Sequence, residues 1–172
     1  THRGSSAASD VYKRQLISSR RNPLVKRLRT LATRAGREAE GLLLLEGTHL
    51  LQEVLRQGNA PEEIIATDAW MQGHSALAAR CSQARWRIVT DEVLRAALTT
   101  VTPDGVACLS PLDRLPTVPP ELDYLLVLDR IQDPGNLGTL LRTALAADVN
   151  AVWMGAGVDP LLFLNVEAHV GD

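Results

Sequence analysis

The chain has 172 residues, of which 45% are hydrophobic, and a net charge of −2 at pH 7. This length suits one globular domain or two small ones, with enough apolar residues for a core. No apolar run approaches the roughly 20 residues that cross a membrane, and the beginning of the chain lacks the apolar core of a secretory signal.

The cysteine and histidine content excludes an obvious metal site. Cys81 and Cys108 are far apart, and the four histidines are scattered without ligand-type spacing. We expect two buried free thiols in a reducing cytoplasm, rather than a disulfide, and no bound metal.

The first 15 residues show no apolar periodicity and are rich in small polar residues. We interpret residues 1–15 as a foreign or disordered segment and exclude them from the fold. Residues 16–37 then hold seven Lys/Arg and no acidic residue. Such a concentration of positive charge is typical of a surface that meets phosphate, and a solvated charged helix is the alternative interpretation.

Asn22-Pro23 predicts the start of the first helix, as a cap followed by proline in the first turn. One apolar stripe follows, made of Leu24, Val25, Leu28, Leu31, Ala32 and Ala35. Basic residues lie on or beside the opposite face. The predicted RNA-binding residues are Arg20, Arg21, Asn22, Lys26, Arg27, Arg29 and Arg37.

Strands then alternate with helices as far as residue 110, which indicates an α/β domain. Strands are predicted at 42–45, 63–67, 87–89 and 106–109. Helices are predicted after Gly47, over 71–80 and from a cap at Thr90 or Asp91 through Leu98. Glu46 is expected to have a structural role at the end of its strand, and the positioning of a substrate group is the alternative. The prolines at 111, 116, 119 and 120 predict a stiff linker over 111–122, so we expect one domain over 16–110 and another over 123–172.

The second domain opens with the most informative stretch of the chain, residues 129–142. The apolar run Tyr124–Leu128 predicts a buried strand, Pro134-Gly135 suits a type II turn, and Asn136 is then expected to cap a helix. The expected core face of that helix comprises Leu137, Leu140, Leu141, Ala144 and Leu145. Asn150–Met154 predicts the next strand of a parallel sheet.

Arg142 lies off the apolar face of this helix. Helical side chains lean toward the N-terminus, so Arg142 leans over Gly138 toward the loop at the helix start. Unpaired N–H groups and partial positive charge at that end suit a phosphate or an oxyanion. From the residues alone, ordinary turn-and-cap chemistry with a solvated arginine is the competing interpretation.

The run Leu128-Asp-Arg-Ile-Gln-Asp-Pro-Gly-Asn136-Leu-Gly-Thr-Leu-Leu-Arg142-Thr-Ala144 resembles the first signature motif of the SpoU (TrmH) family of the SPOUT superfamily. Ile17–Lys26 and Gly41–Gly47 resemble the ribosomal-protein-like substrate-binding domain that precedes the catalytic domain in many members. The resemblance implies RNA ribose 2′-O-methylation with S-adenosylmethionine, a knotted α/β catalytic domain and a homodimer. It implies Asn136 and Arg142 as catalytic residues and ribosomal RNA as the substrate.

After Asp159 the resemblance ends. The family continues for roughly another hundred residues, which carry the knot and most of the cofactor pocket. We therefore expect a fragment with an incomplete methyltransferase domain over 123–172, and no useful binding of S-adenosylmethionine. The alternatives are an RNA-binding module without transferase activity and an enzyme that uses the Asn136/Arg142 pocket for a phosphorylated metabolite.

Overall fold

The computed structural model describes residues 16–114, 123–157 and 159, and it has the mixed α/β class that the sequence predicts. The helices in those ranges are α1 (Pro23–Leu31), α2 (Arg34–Glu40), α3 (Thr48–Arg56), α4 (Asp68–Gly73), α5 (Ser75–Arg80), α6 (Asp91–Ala97) and α7 (Pro134–Ala146). The strands are β1 (Leu42–Glu46), β2 (Glu63–Ala66), β3 (Arg85–Ile88), β4 (Val106–Pro111), β5 (Leu125–Leu128) and β6 (Ala151–Met154).

The first sheet has the strand order β1-β4-β2-β3. Strand β4 is antiparallel to β1 and β2, while β2 and β3 are parallel. Successive strand residues point to opposite faces, so Leu43 and Leu45 pack with the helices α3 to α5, and Leu42 and Leu44 pack with α1 and α6. Burial on both faces explains why the sequence shows β1 as an unbroken apolar run.

The first predicted helix is divided into α1 and α2. Thr33 accepts a hydrogen bond from the Gly36 N–H and thereby caps a second helix. The two helices approach so closely that a Cβ at Gly36 would overlap the carbonyl oxygen of Thr30. Because the direction changes here, the expected apolar stripe does not continue: Ala35 is exposed, and Gly36 and Arg37 are buried.

Two further boundaries differ from the prediction. The helix expected over 71–80 is two short helices that meet at His74. Strand β4 continues through Pro111, which pairs with Leu42, so the first domain extends into the predicted linker. The rest of that linker, together with the predictions for residues 1–15 and 160–172, lies outside the described residues apart from the short helical turn at Leu112–Arg114.

The second unit consists of β5 and β6, which pair in parallel as predicted, and α7. The side chains of Leu126, Leu128, Val152 and Met154 pack with α7 around the fully buried Leu137. The expectation that Leu145 belongs to the core face of the helix is wrong, because its side chain is 80% exposed.

Candidate RNA-binding face and catalytic motif

A basic surface groove runs along the solvent side of α1. It has a volume of about 430 Å³. Its lining includes four cations, Arg20, Arg21, Lys26 and Arg29, which are all exposed. We call these four residues the basic face. They belong to one exposed helix side and the turn before it, because the apolar residues of α1 are committed to the sheet.

Contacts with α6 hold part of the basic face in place. Arg29 donates from Nε to the carbonyl oxygen of Ala96 at 2.6 Å. Arg20 pairs with Glu92 at 3.2 Å, and both side chains are about two-thirds exposed, at 65% and 67%. An exposed pair of this kind is weak and is readily exchanged for a phosphate contact.

Asn22 is one of the predicted RNA-binding residues. In the structure it is the N-cap of α1. Its side-chain oxygen accepts a hydrogen bond from the Leu24 N–H at 2.9 Å. The prediction of a cap followed by Pro23 is therefore confirmed. The cap satisfies a backbone donor that the first helical turn leaves open.

Arg27 faces away from the basic face and belongs to a network of ion pairs around Glu63. It donates to Glu40 at 2.8 Å and to Glu63 at 2.9 Å, and Arg87 donates to the other oxygen of Glu63 at 2.8 Å. Burial alone would raise the pKa of Glu63, but the hydrogen bonds from Arg87 and Arg27 outweigh it and lower this pKa below its ordinary value.

Arg37 lies in the interior, with 3% of its surface exposed. Its guanidinium donates to the carbonyl oxygens of Leu31 and Ala32 and pairs with Asp159. The side chain is therefore directed at protein groups, and Arg37 is not among the residues that the structure presents on the basic face. The prediction places Arg37 on or beside the exposed face of the first helix, because it assumes that this helix continues without a break.

The candidate catalytic motif, residues 129–142, forms the loop after β5 and the first turns of α7. Asp133, and not Asn136, is the N-cap, and its carboxylate accepts a hydrogen bond from the Asn136 N–H at 2.7 Å. Pro134 then occupies the first turn of the helix, so the expected type II turn at Pro134-Gly135 is wrong. The signal was present in the sequence, because Asp133-Pro134 repeats the cap-and-proline order of Asn22-Pro23.

Asn136 and Arg142 are both exposed on α7. They are six residues apart, which corresponds to about 9 Å along a helix axis. Arg142 donates to the Thr139 hydroxyl at 3.3 Å, so its guanidinium extends toward the beginning of the helix. This direction is the one that the lean of helical side chains predicts.

Glu46 is buried, and its hydrogen bonds hold the loop after α6 in place. Its carboxylate accepts hydrogen bonds from the Thr99 N–H at 3.0 Å, the Thr99 hydroxyl at 2.8 Å and the Thr100 N–H at 2.8 Å. These contacts give Glu46 the structural role expected for it. The sequence marks the residue only as a charge at the end of an apolar strand, and the loop it holds lies more than 50 residues away.

Cys81 and Cys108 are free and buried, as expected. Burial, with a smaller contribution from Cys81, raises the pKa of Cys108 to about 12. Among residues 16–114, 123–157 and 159, no group of His, Cys, Asp and Glu side chains is arranged to hold a metal ion. The described helices include none that is long and apolar enough to cross a membrane.

Comparison with known proteins relates both regions to RNA methyltransferases. Residues 22–108 match the family of the MRM3-like substrate-binding domain. A Synechocystis protein named uncharacterized tRNA/rRNA methyltransferase is 45% identical over 148 residues, which cover 84% of this chain and 54% of the relative. The Bacillus subtilis 23S rRNA (guanosine(2553)-2′-O)-methyltransferase RlmP is 33% identical over 144 residues, covering 82% of this chain and 54% of that enzyme.

The solved structures agree with the sequence relatives. The crystal structure of an rRNA methyltransferase from Sinorhizobium meliloti superposes with a TM-score of 0.72 at 26% identity, and the match covers 91% of this chain and 61% of that one. The chain belongs to the family of the MRM3-like substrate-binding domain. Its structural neighbours include a TrmH-family protein from Porphyromonas gingivalis, and the resemblance to the SpoU (TrmH) family seen in the sequence is confirmed.

The chain covers only part of the length of these relatives. This SpoU-family chain spans about half the length of the curated relatives it matches, 54% in both of the cases above. Its alignment with the Synechocystis protein extends over 148 residues, more than the first domain alone contains.

Proposed function

We propose that this chain is the substrate-binding domain and the beginning of the catalytic domain of an enzyme that methylates the ribose 2′-hydroxyl of ribosomal RNA. S-adenosylmethionine is the proposed methyl donor; one related structure, from Sinorhizobium meliloti, is described as AdoMet-bound. The observation that supports the proposal most is the 45% identity to a tRNA/rRNA methyltransferase over 148 residues.

The proposed division of labour follows from the two surfaces. Arg20, Arg21, Lys26 and Arg29 contact RNA phosphates, which fixes position without reading sequence. Asn136 and Arg142 orient the ribose and its neighbouring phosphate for methyl transfer. Arginine suits this role because its guanidinium stays protonated and binds phosphate with two parallel hydrogen bonds.

The proposal assigns Asn22, Arg27 and Arg37 supporting roles instead of direct RNA contact. Asn22 caps α1, Arg27 holds Glu63 and Arg37 is buried. These side chains keep α1 in place, and the exposed cations of the basic face bind RNA. We further propose a homodimer, as the resemblance implies, and a cytoplasmic location, which the buried free thiols support.

RNA binding is tested by fluorescence anisotropy with a labelled hairpin transcribed from 23S rRNA, at several salt concentrations. We expect affinity to fall steeply with salt, and Lys26→Gln and Arg29→Gln each to lower the slope of log Kd against log salt by about 1. The matched control is Arg56→Gln, because Arg56 is an exposed arginine on α3, outside the basic face. Equal loss in all three variants, or binding without salt dependence, would contradict the assignment.

Methyl transfer is tested on the longer protein that contains this sequence, with tritiated S-adenosylmethionine and ribosomal RNA. We expect Asn136→Ala and Arg142→Ala to abolish incorporation while leaving RNA affinity within about twofold, because the basic face is intact. Normal RNA binding with no incorporation by the parent protein would instead favour an RNA-binding module without transferase activity.

A further inference from the structure

Arg37 on α2 is a cation that the fold places almost entirely out of water. Its NH1 group donates to the carbonyl oxygens of Leu31 and Ala32, at 3.3 and 2.9 Å, where α1 ends. Carbonyls at a helix C-terminus carry partial negative charge, so they stabilise a cation in this position. They do not neutralise it, and a buried guanidinium without a counterion is costly.

The counterion comes from the other unit of the chain. The Arg37 NH2 group pairs with the carboxylate of Asp159, which is 122 residues away in sequence. The two side chains are 4% and 18% exposed, so water screens this pair much less than it screens the surface pairs. Arg37 Nε meets no acceptor among the described residues, which leaves the guanidinium directed at the two carbonyls and at Asp159.

The segment leading to Asp159 also lies against the catalytic motif. The Gly155 N–H donates to the carbonyl oxygen of Leu128 at 2.8 Å. A Cβ at Gly157 would overlap the carbonyl oxygen of Ile131, in the loop that precedes α7. Gly155 and Gly157 therefore lie against β5 and the loop that precedes α7, which we call the motif loop, and Asp159 contacts Arg37 of α2.

We propose that the Arg37–Asp159 ion pair fixes the orientation of the basic face relative to the catalytic motif. Arg37 is a positioning residue: it holds Asp159, and Gly157, two residues earlier in the chain, packs on the motif loop. The functional meaning of the two surfaces rests on the proposed function, while the ion pair and its mechanical effect do not. An arginine is needed here because its planar fork serves two carbonyls and a carboxylate at once.

The orientation is measured by electron–electron double resonance between spin labels on the two units of the chain. Gln52→Cys on α3 and Ala146→Cys on α7 place both labels at exposed positions. The native cysteines are buried, and burial raises the pKa of both thiols, so labelling is directed to the new sites. We expect one narrow distance distribution in the labelled parent.

Asp159→Asn keeps the shape of the side chain and removes its charge, and we expect it to broaden the distance distribution at least twofold. Arg37→Met is expected to do the same. Arg95→Gln is the control, because Arg95 is an exposed arginine on α6 of the first domain, and it should keep the parent distribution. Near-ultraviolet circular dichroism of Trp70 and Trp86 verifies that the first domain remains folded in each variant.

An unchanged distribution in both Asp159→Asn and Arg37→Met, with the first domain folded, would overturn the proposal. A change of equal size in Arg95→Gln would overturn it too, because the effect would then be one of general charge. Neither RNA nor cofactor is present in this measurement. Its outcome is therefore independent of the binding and transfer experiments that test the proposed function.

Discussion

Buried charges are the residues on which this fold depends most at the scale of single side chains. Glu46, Glu63 and Arg37 are each at most 3% exposed, and each is held by several hydrogen bonds. A buried charge is tolerated only where partners replace the lost water. The four cations of the basic face are the opposite case, since their charges remain exposed to solvent.

Glu63 makes stability dependent on pH on the acid side. Its pKa is lowered in the folded state, so its contribution is complete above its ordinary value of about 4.5 and is lost as pH falls through the folded-state pKa. We expect the free energy of unfolding of the parent to exceed that of Glu63→Gln most at about pH 6, and the difference to shrink toward about pH 3. Urea unfolding across this range measures it, and a constant difference would contradict the assignment.

Glu46→Gln tests the anchor of the loop after α6. In the variant, the N–H₂ group of the side-chain amide would face one of the groups that now donate to the carboxylate. That buried donor would be left without an acceptor. We expect a loss of about 1–3 kcal/mol in the free energy of unfolding. Glu92→Gln is the control, since its pair with Arg20 is exposed and contributes little. Similar losses for the two variants, compared by urea denaturation, would refute the anchoring role.

At the scale of elements, helix ends explain most of the differences between prediction and structure. Asn22 caps α1 as predicted, and of the two candidates for the cap of α6, Thr90 and Asp91, the structure has Thr90. The motif contains two candidate N-caps for α7, Asp133 and Asn136, and Asp133 is the cap in the structure. Thr33 starts a new helix in the middle of the expected apolar stripe, because Gly36 permits the close approach to Thr30.

The capping assignment in α7 is testable by comparing two neighbouring substitutions. Asp133→Ala removes the acceptor of the Asn136 N–H and is expected to destabilise the helix by about 1 kcal/mol, which raises amide exchange in its first turn. Asn136→Ala leaves that acceptor in place. Hydrogen exchange measured by NMR should therefore change in the first variant alone, and the opposite pattern would restore Asn136 as the cap.

At the scale of the whole molecule, the two units differ in how well they bury their apolar residues. The first sheet has helices on both faces, whereas β5 and β6 have α7 on one face. Val127 and Trp153 pair across the other face and are 61% and 56% exposed. The two side chains therefore form a small exposed apolar patch on this face of the sheet.

We expect the chain to bind the dye 8-anilinonaphthalene-1-sulfonate through this exposed sheet face. Val127→Thr with Trp153→Thr should reduce dye fluorescence severalfold without unfolding the sheet, because threonine keeps the β-branched shape that strands favour. Val101→Thr is the control, since Val101 is an isolated exposed apolar residue on the first domain, at 86% exposure. Undiminished fluorescence in the double variant would place the dye elsewhere.

The sequence by itself determined the α/β class, the positions of most strands and helices, the cap of α1 and the motif that relates the chain to the SpoU family. These features depend on residues that are close in sequence, where periodicity and capping act. Only the tertiary structure decided that Arg37 is buried, that Glu46 holds Thr99 and Thr100, and that Asp159 returns to α2. The Arg37–Asp159 ion pair and the hydrogen bonds of Glu46 with Thr99 and Thr100 join residues more than 50 positions apart. The free energy of burying a charge depends on such partners, and no local sequence pattern contains them.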